Sequence, residues 1–369
     1  MASARKIDYI LMGTAALLMV FGVIILASAS TSVSQIKFGS TYYYLNHQIT
    51  FALIPGILLA ILFSKIKLAL VKKWAPVFLL VNLLLMTFVF LPQIGIRVGK
   101  AARWISLGLA SFQPSETLKI AFILYLASWL EGKSKKKIAL PKTQKDLKEN
   151  LPAFLIILGL ISLLLVFQSD IGTLVVILAT GVLMYFFADT PFWDTILIGV
   201  LGIIAILIFI NLSPYRLERV SVFLHPGQDP MGMGYQIKQS LIAIGSGGLF
   251  GSGFGMSQQK FLPYPMSDSI FAVLAEEAGF LGSVILISLF LIFLWRGFKI
   301  GKESKNKFSS LSALGITSWI LIQALVNIGA MVGVIPLTGI PLPFISHGGT
   351  ALIAELIGIG ILLNISKTT

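Results

Sequence analysis

Apolar residues fill this chain in long blocks, separated by short clusters of Lys, Gly and Pro. A helix needs about 20 apolar residues to cross the hydrocarbon of a bilayer. Blocks of that size predict spans near 9–30, 46–64, 74–92, 114–130, 151–167, 171–188, 192–211, 268–295, 309–334 and 348–365. Arg5-Lys6 before the first block and Ala27-Ser28-Ala29-Ser30 after it resemble a cleavable leader, but the apolar stretch is too long for one and reads as a retained span. The expected fold class is all-α: a polytopic membrane protein of about ten transmembrane helices, with residues 1–369 forming one domain.

Two connections break the rhythm. Segment 131–150, opening Glu-Gly-Lys-Ser-Lys-Lys-Lys, is a solvated linker suited to lie against anionic headgroups. Segment 212–267 is long, rich in Gly and Pro and moderately apolar, with Tyr235 to Gly245 at helical spacing. A loop of that length is usually functional, and short helices at the membrane interface are expected in it. No internal repeat is apparent, which argues against an inverted-repeat transporter.

Composition agrees with the hydropathy. The 369 residues are 56% hydrophobic and 12% charged, against about 25% charged in soluble domains; mean hydropathy is +0.92. The net charge of +13 is not a nucleic-acid signal here, because it accompanies membrane-length apolar runs. It reads as topology. Nineteen of the 28 Lys and Arg fall on one side of the expected spans. Basic loops stay inside, so both termini and segment 131–150 are expected in the cytoplasm and segment 212–267 outside. There is no cysteine, and His47, His225 and His347 are too scattered to suggest a metal cluster.

Ionisable groups in or beside spans default to functional hypotheses. Glu116 and Lys119, three apart, share a helix face, either as a buried packing pair or as a grip on substrate. Asp268 follows Leu262-Pro-Tyr-Pro-Met-Ser267 and suits either a helix N-cap or chemistry. Of Glu276 and Glu277, at least one must face a polar interior. The glycines of 245–255 match neither the P-loop nor the dinucleotide fingerprint; they suit an anion nest, or tight turns and close helix packing. Three prolines in 336–350 forbid a regular helix, and such backbone survives at membrane depth only when buried or lining a cavity.

Several segments in order resemble the SEDS family (shape, elongation, division, sporulation), the FtsW/RodA/SpoVE peptidoglycan glycosyltransferases. They are Ala102-Arg103-Trp104-Ile105 with Phe112-Gln-Pro-Ser-Glu116 and Lys119, Gln168-Ser-Asp170-Ile-Gly-Thr173, Gly234-Tyr-Gln236 through Gly255, Lys260-Phe-Leu-Pro263, Ser267-Asp268 through Gly279, and Pro336 through Gly349. The resemblance spans nearly the whole chain and leans to the FtsW side. It implies polymerisation of lipid II at the outer face of the cytoplasmic membrane, in division or elongation, with Asp268 as the catalytic general base. The candidate substrate-binding residues are Arg103, Glu116, Lys119, Gln168, Asp170, Arg216, Arg219, Gln236, Lys260 and Ser346. No cofactor is certain; a divalent cation, Mg or Mn, is a candidate without assigned ligands. The implied partners are lipid II, a class B penicillin-binding transpeptidase and other division or elongation membrane proteins, with no nucleic acid. The alternatives are a lipid II flippase and a noncatalytic division scaffold. The sequence departs from the family pattern at Ser169 (Pro), Tyr264 (Glu), Ser269 (Phe) and His347 (Tyr).

Overall fold

The computed structural model describes residues 7–98, 101–106, 108, 110–139, 150–188, 190–211, 214–229, 232–257 and 262–368. Helix α1 (Tyr9–Ala29) starts at Asp8, whose carboxylate accepts from the Leu11 amide at 2.9 Å. Short α2 (Thr31–Phe38) is followed by α3 (Tyr43–Gln48), which runs through a π-helical turn (Ile49–Leu53) into α4 (Ile54–Lys65). Then come α5 (Leu68–Phe88), three strands, α6 (Pro114–Ala139), α7 (Asn150–Phe167), α8 (Ile171–Phe187) and α9 (Phe192–Asn211). Short α10 (Pro214–Leu224) and α11 (Met233–Ser246) lead to α12 (Ile270–Glu303), α13 (Lys307–Met331) and α14 (Gly349–Ser366).

Seven of these helices, with α3 and α4 taken as one, are long and apolar enough to cross a membrane. Helices α7 and α8 are shorter apolar helices, and α6 carries the buried charges Glu116, Lys119 and Glu131 in its apolar part, ahead of a Lys-rich end. About ten spans therefore hold. Helices α13 and α14 form the hub, 78% and 83% buried over their apolar windows, against 11% for α9 at the periphery. A hub helix meets protein on every side, so it tolerates polar residues only as pairs.

Three boundaries differ from expectation. Helix α5 begins at Leu68 rather than near 74, because Lys72 reaches a buried carboxylate, that of Glu131, instead of lying in a loop. Segment 131–150 is helical as far as Ala139, and 140–149 lies outside the described residues. Between α5 and α6, where hydropathy assigns no element, β1 (Gly95–Val98), β2 (Ala101–Ser106) and β3 (Ser111–Phe112) form an antiparallel sheet. The expected short helices of 212–267 are α10 and α11.

The glycine-rich stretch serves packing. Helix α12 is broken at Gly279 (φ 67°, ψ −164°). There the Phe280 and Leu281 amides donate to the carbonyls of Gly248 (2.9 Å) and Leu249 (3.1 Å). A Cβ on Gly251 would sit 2.1 Å from the Glu277 carbonyl oxygen, so no side chain fits between the two backbones. Glu277 does face a polar interior: its carboxylate accepts from the hydroxyls of Ser28 and Ser257 and from the Gly255 amide.

Candidate active site

Asp268 sits on a tight turn ahead of α12. Pro263 and Pro265 restrict the turn, and Tyr264 between them adopts φ 51°. The Tyr264 carbonyl accepts from the amides of Ser267 (3.1 Å) and Ser269 (3.3 Å). Asp268 is not the N-cap of α12; that position belongs to Ser269. The Ser269 hydroxyl instead donates to the Pro263 carbonyl (2.8 Å) and accepts from the Gln236 amide (3.1 Å). The capping reading of Asp268 therefore fails, because the chain bends once more before the helix begins.

Three elements hold this turn. Helix α11 does so through Gln236. Helix α13 supplies Asn327, whose side-chain amide donates to the carbonyls of Asp268 (2.9 Å) and Ile340 (2.8 Å). The non-helical segment before α14 supplies Ser346, which donates to the Ser267 carbonyl (2.6 Å), and the His347 amide, which donates to the Met266 carbonyl (2.8 Å). Gly339 lines the carboxylate; a Cβ there would lie 3.5 Å from Asp268 Oδ2.

The charged groups acting on Asp268 are cationic: Arg103 from β2 and Arg219 from α10. Burial pushes the Asp268 carboxyl above its ordinary value, against the pull of the two guanidiniums and a hydrogen bond from Ser267. The residue is half-buried and keeps a path to solvent. Arg219 is oriented by the Leu337 carbonyl (3.1 Å). Arg103 donates to the Ser169 and Gln168 carbonyls and lies 3.8 Å from Asp170. Burial disfavours the Asp170 charge, yet Arg103, the Thr173 amide and hydroxyl, and Ser115 together hold that carboxyl below the usual range. Asp170 is thus an anchored anion that caps α8 and orients Arg103.

Of the residues expected from sequence, Arg103, Arg219, Gln236 and Ser346 meet around the Asp268 turn, and Asp170 reaches it only through Arg103. Gln168 is fully buried and donates to the Met86 carbonyl (2.9 Å), tying α7 to α5. Glu116 and Lys119 pair at 2.7 Å with almost no exposure, so neither presents an atom to a substrate here. Lys260 and the side chain of Arg216 lie outside the described residues. Among the described residues no group of three or more His, Asp or Glu is placed to hold a metal ion.

With this geometry in place, kinship is decisive. A family model described as cell cycle protein, of the FtsW, RodA and SpoVE type, matches residues 8–369. The chain belongs to the FtsW/RodA/SpoVE family. It is 36% identical over 365 residues to stage V sporulation protein E of Bacillus subtilis, covering 98% of this chain and 97% of that one. It is 39% identical over 358 residues to a probable peptidoglycan glycosyltransferase FtsW of Coxiella burnetii, covering 95% and 94%. Among solved structures it superposes with a TM-score of 0.78 at 28% identity, over 98% of both chains, on a component of a peptidoglycan synthase complex that coordinates polymerisation and crosslinking. Thermus thermophilus rod shape determining protein RodA gives 0.68 at 27% identity, over 98% and 97%. The protein is accordingly a multi-pass membrane protein of this family.

The departures from the family pattern acquire physical meaning. Ser169 adopts φ 56°, which a proline ring, fixed near −65°, cannot. Ser269 makes two hydrogen bonds that a phenylalanine cannot make. His347 packs edge-on to Tyr44 (5.3 Å between centroids) and beside His47. Burial and His47 push its imidazole down to about 4, so it is neutral at pH 7. Sequence reading missed Asn327 and Gln323. Two amides four residues apart in an apolar helix were the available signal, since buried amides must find partners.

Proposed function

We propose that this membrane protein is a peptidoglycan glycosyltransferase that polymerises lipid II, with Asp268 as its general base. The observation that carries this reading is a partly desolvated carboxylate on a turn held from three sides, with two guanidiniums as its charged neighbours. Desolvation raises the basicity of a carboxylate. Asp268 takes the proton from the acceptor's 4-hydroxyl as that oxygen attacks the donor's anomeric carbon. The bond from that carbon to the lipid pyrophosphate breaks, and Arg103 and Arg219 balance the charge that develops on the leaving group. A divalent cation, Mg or Mn, would need the substrate pyrophosphate together with Asp268 to hold it.

The basic end of the bundle (Lys65, Lys67, Lys299, Lys302, Lys305, Lys307 and Lys367) supports placing both termini in the cytoplasm and Asp268 at the outer surface. A class B penicillin-binding transpeptidase is the expected partner, in keeping with the synthase complex on which the chain superposes. The test is glycan-strand formation by the purified full chain given lipid II. Asp268→Asn should lose about 10²–10⁴-fold in rate; a variant as fast as wild type would overturn the assignment. Lipid II translocation across vesicles without strand formation would replace this reading with a flippase.

A further inference from the structure

Glu355 lies in the middle of α14, within Ala-Leu-Ile-Ala-Glu-Leu-Ile-Gly, and is 2% exposed. A carboxylate in the apolar interior of a bundle is expensive, and its partners indicate what it does. One oxygen, Oε2, accepts from the Phe344 amide at 2.8 Å. The other lies 3.5 Å from the Gln323 side-chain nitrogen, which also donates to the Pro341 carbonyl at 3.1 Å. Gln323 is itself fixed, because its oxygen accepts from Lys119 (2.7 Å) and from the Trp319 indole (2.9 Å).

Glu355 and Gln323 thus clamp the two ends of the turn Pro341–Phe344. That turn is strained: Phe344, a bulky residue, adopts φ 64°, a conformation that persists only when the surroundings over-determine it. Its carbonyl is wedged against α1, where a Cβ on Gly22 would lie 2.1 Å from the Phe344 oxygen. From the turn the hydrogen bonds continue without a gap. The Leu342 amide donates to the Ser346 hydroxyl (2.8 Å), and that hydroxyl donates to the Ser267 carbonyl (2.6 Å), one residue before Asp268.

We propose that Glu355 is a positioning residue for Asp268: as an acceptor for the Phe344 amide it holds the strained 341–346 turn, and through Ser346 that turn sets the carboxylate. The proposal rests on Asp268 being the general base, and it assigns Glu355 no contact with substrate. What matters is the acceptor oxygen rather than the charge. If Glu355 served only as a counter-ion for Lys119, the charge would matter instead.

Two substitutions separate these roles. Glu355→Gln keeps an acceptor for Phe344 and removes the charge; Glu355→Met removes both at similar volume. With lipid II as the probe and the full chain in detergent, Glu355→Gln should keep kcat within about twofold. Glu355→Met should lose about 10–100-fold in kcat with KM within twofold, the size of effect expected from slight misplacement of a catalytic group. Hydrogen exchange over 340–346 and 266–268 should quicken in the Met variant and not in the Gln variant, whatever the activity. A Met variant with wild-type kcat and exchange, or a Gln variant as impaired as the Met variant, overturns the proposal. If the Met variant does not accumulate, kcat of Glu355→Gln alone decides between acceptor and counter-ion. An active Asp268→Asn enzyme would refute the general-base reading, whereas the exchange data test the clamp independently.

Discussion

The Ser346 hydroxyl reaches 2.6 Å to the Ser267 carbonyl, across a separation of 79 residues. It also accepts from the Leu342 amide, so one hydroxyl closes its own turn and fixes the approach to Asp268. Ser346→Ala should leave that buried amide without a partner and cost about 1–3 kcal/mol. The expected outcome is a lower melting temperature together with reduced turnover, read by thermal denaturation beside the strand-formation assay.

Asp268 should make the protein less stable as pH rises. Its ordinary pKa is 3.8 and its folded value is higher, so the folded chain binds the proton more tightly. Stability then declines as pH climbs from 3.8 towards the folded value and is level above it. Asp268→Asn abolishes that decline, so the variant should melt at or above the wild-type temperature at pH 7 while lacking polymerase activity. The rate of the wild-type enzyme should move the opposite way, rising with pH as the base ionises. Melting curves of both proteins across pH check the first claim, and a pH–rate profile checks the second.

Removing one member of the Glu116–Lys119 pair leaves the other buried. Glu116→Ala should cost about 3–5 kcal/mol, and adding Lys119→Ala should recover part of it. A double-mutant cycle on unfolding measures the coupling, and strictly additive losses would show that the two side chains act separately.

Gly279→Ala should prevent accumulation of folded protein. A Cβ there would meet the Gly251 nitrogen at 2.3 Å, and φ is 67°. Gly199 in α9, with nothing within 4 Å of its added Cβ, is the control: alanine there should be neutral or stabilising by about 0.5–1 kcal/mol. Melting temperatures of the two variants decide it.

Cysteines placed in this Cys-free chain at Ser40 and at Lys305 should label from opposite sides of intact cells, Ser40 from outside. Both positions are exposed. Labelling of both from one side would contradict the proposed orientation.

The sequence by itself determined the polytopic, all-helical class and the basic end of the bundle. Both depend on local quantities, the hydropathy of about 20 consecutive residues and the charges between them. It also marked Arg103, Asp170, Gln236, Asp268 and Ser346 as candidates, through resemblance of short segments. Hydropathy could not find β1–β3, whose pairing depends on cross-strand contacts, or the N-terminal part of α5, whose Lys72 is tolerated through Glu131 on α6. It gave no reason to expect a positive φ at Ser169, Tyr264 and Phe344, since none is a glycine. Only the packed structure decided those conformations: Arg103 on β2 holds Ser169, Glu355 on α14 holds Phe344, and the amides of Ser267 and Ser269 hold Tyr264 within its own turn. The same reason separates Glu116 and Lys119 from the Asp268 turn: they resemble site residues in sequence, but burial between helices leaves them no surface to offer a substrate.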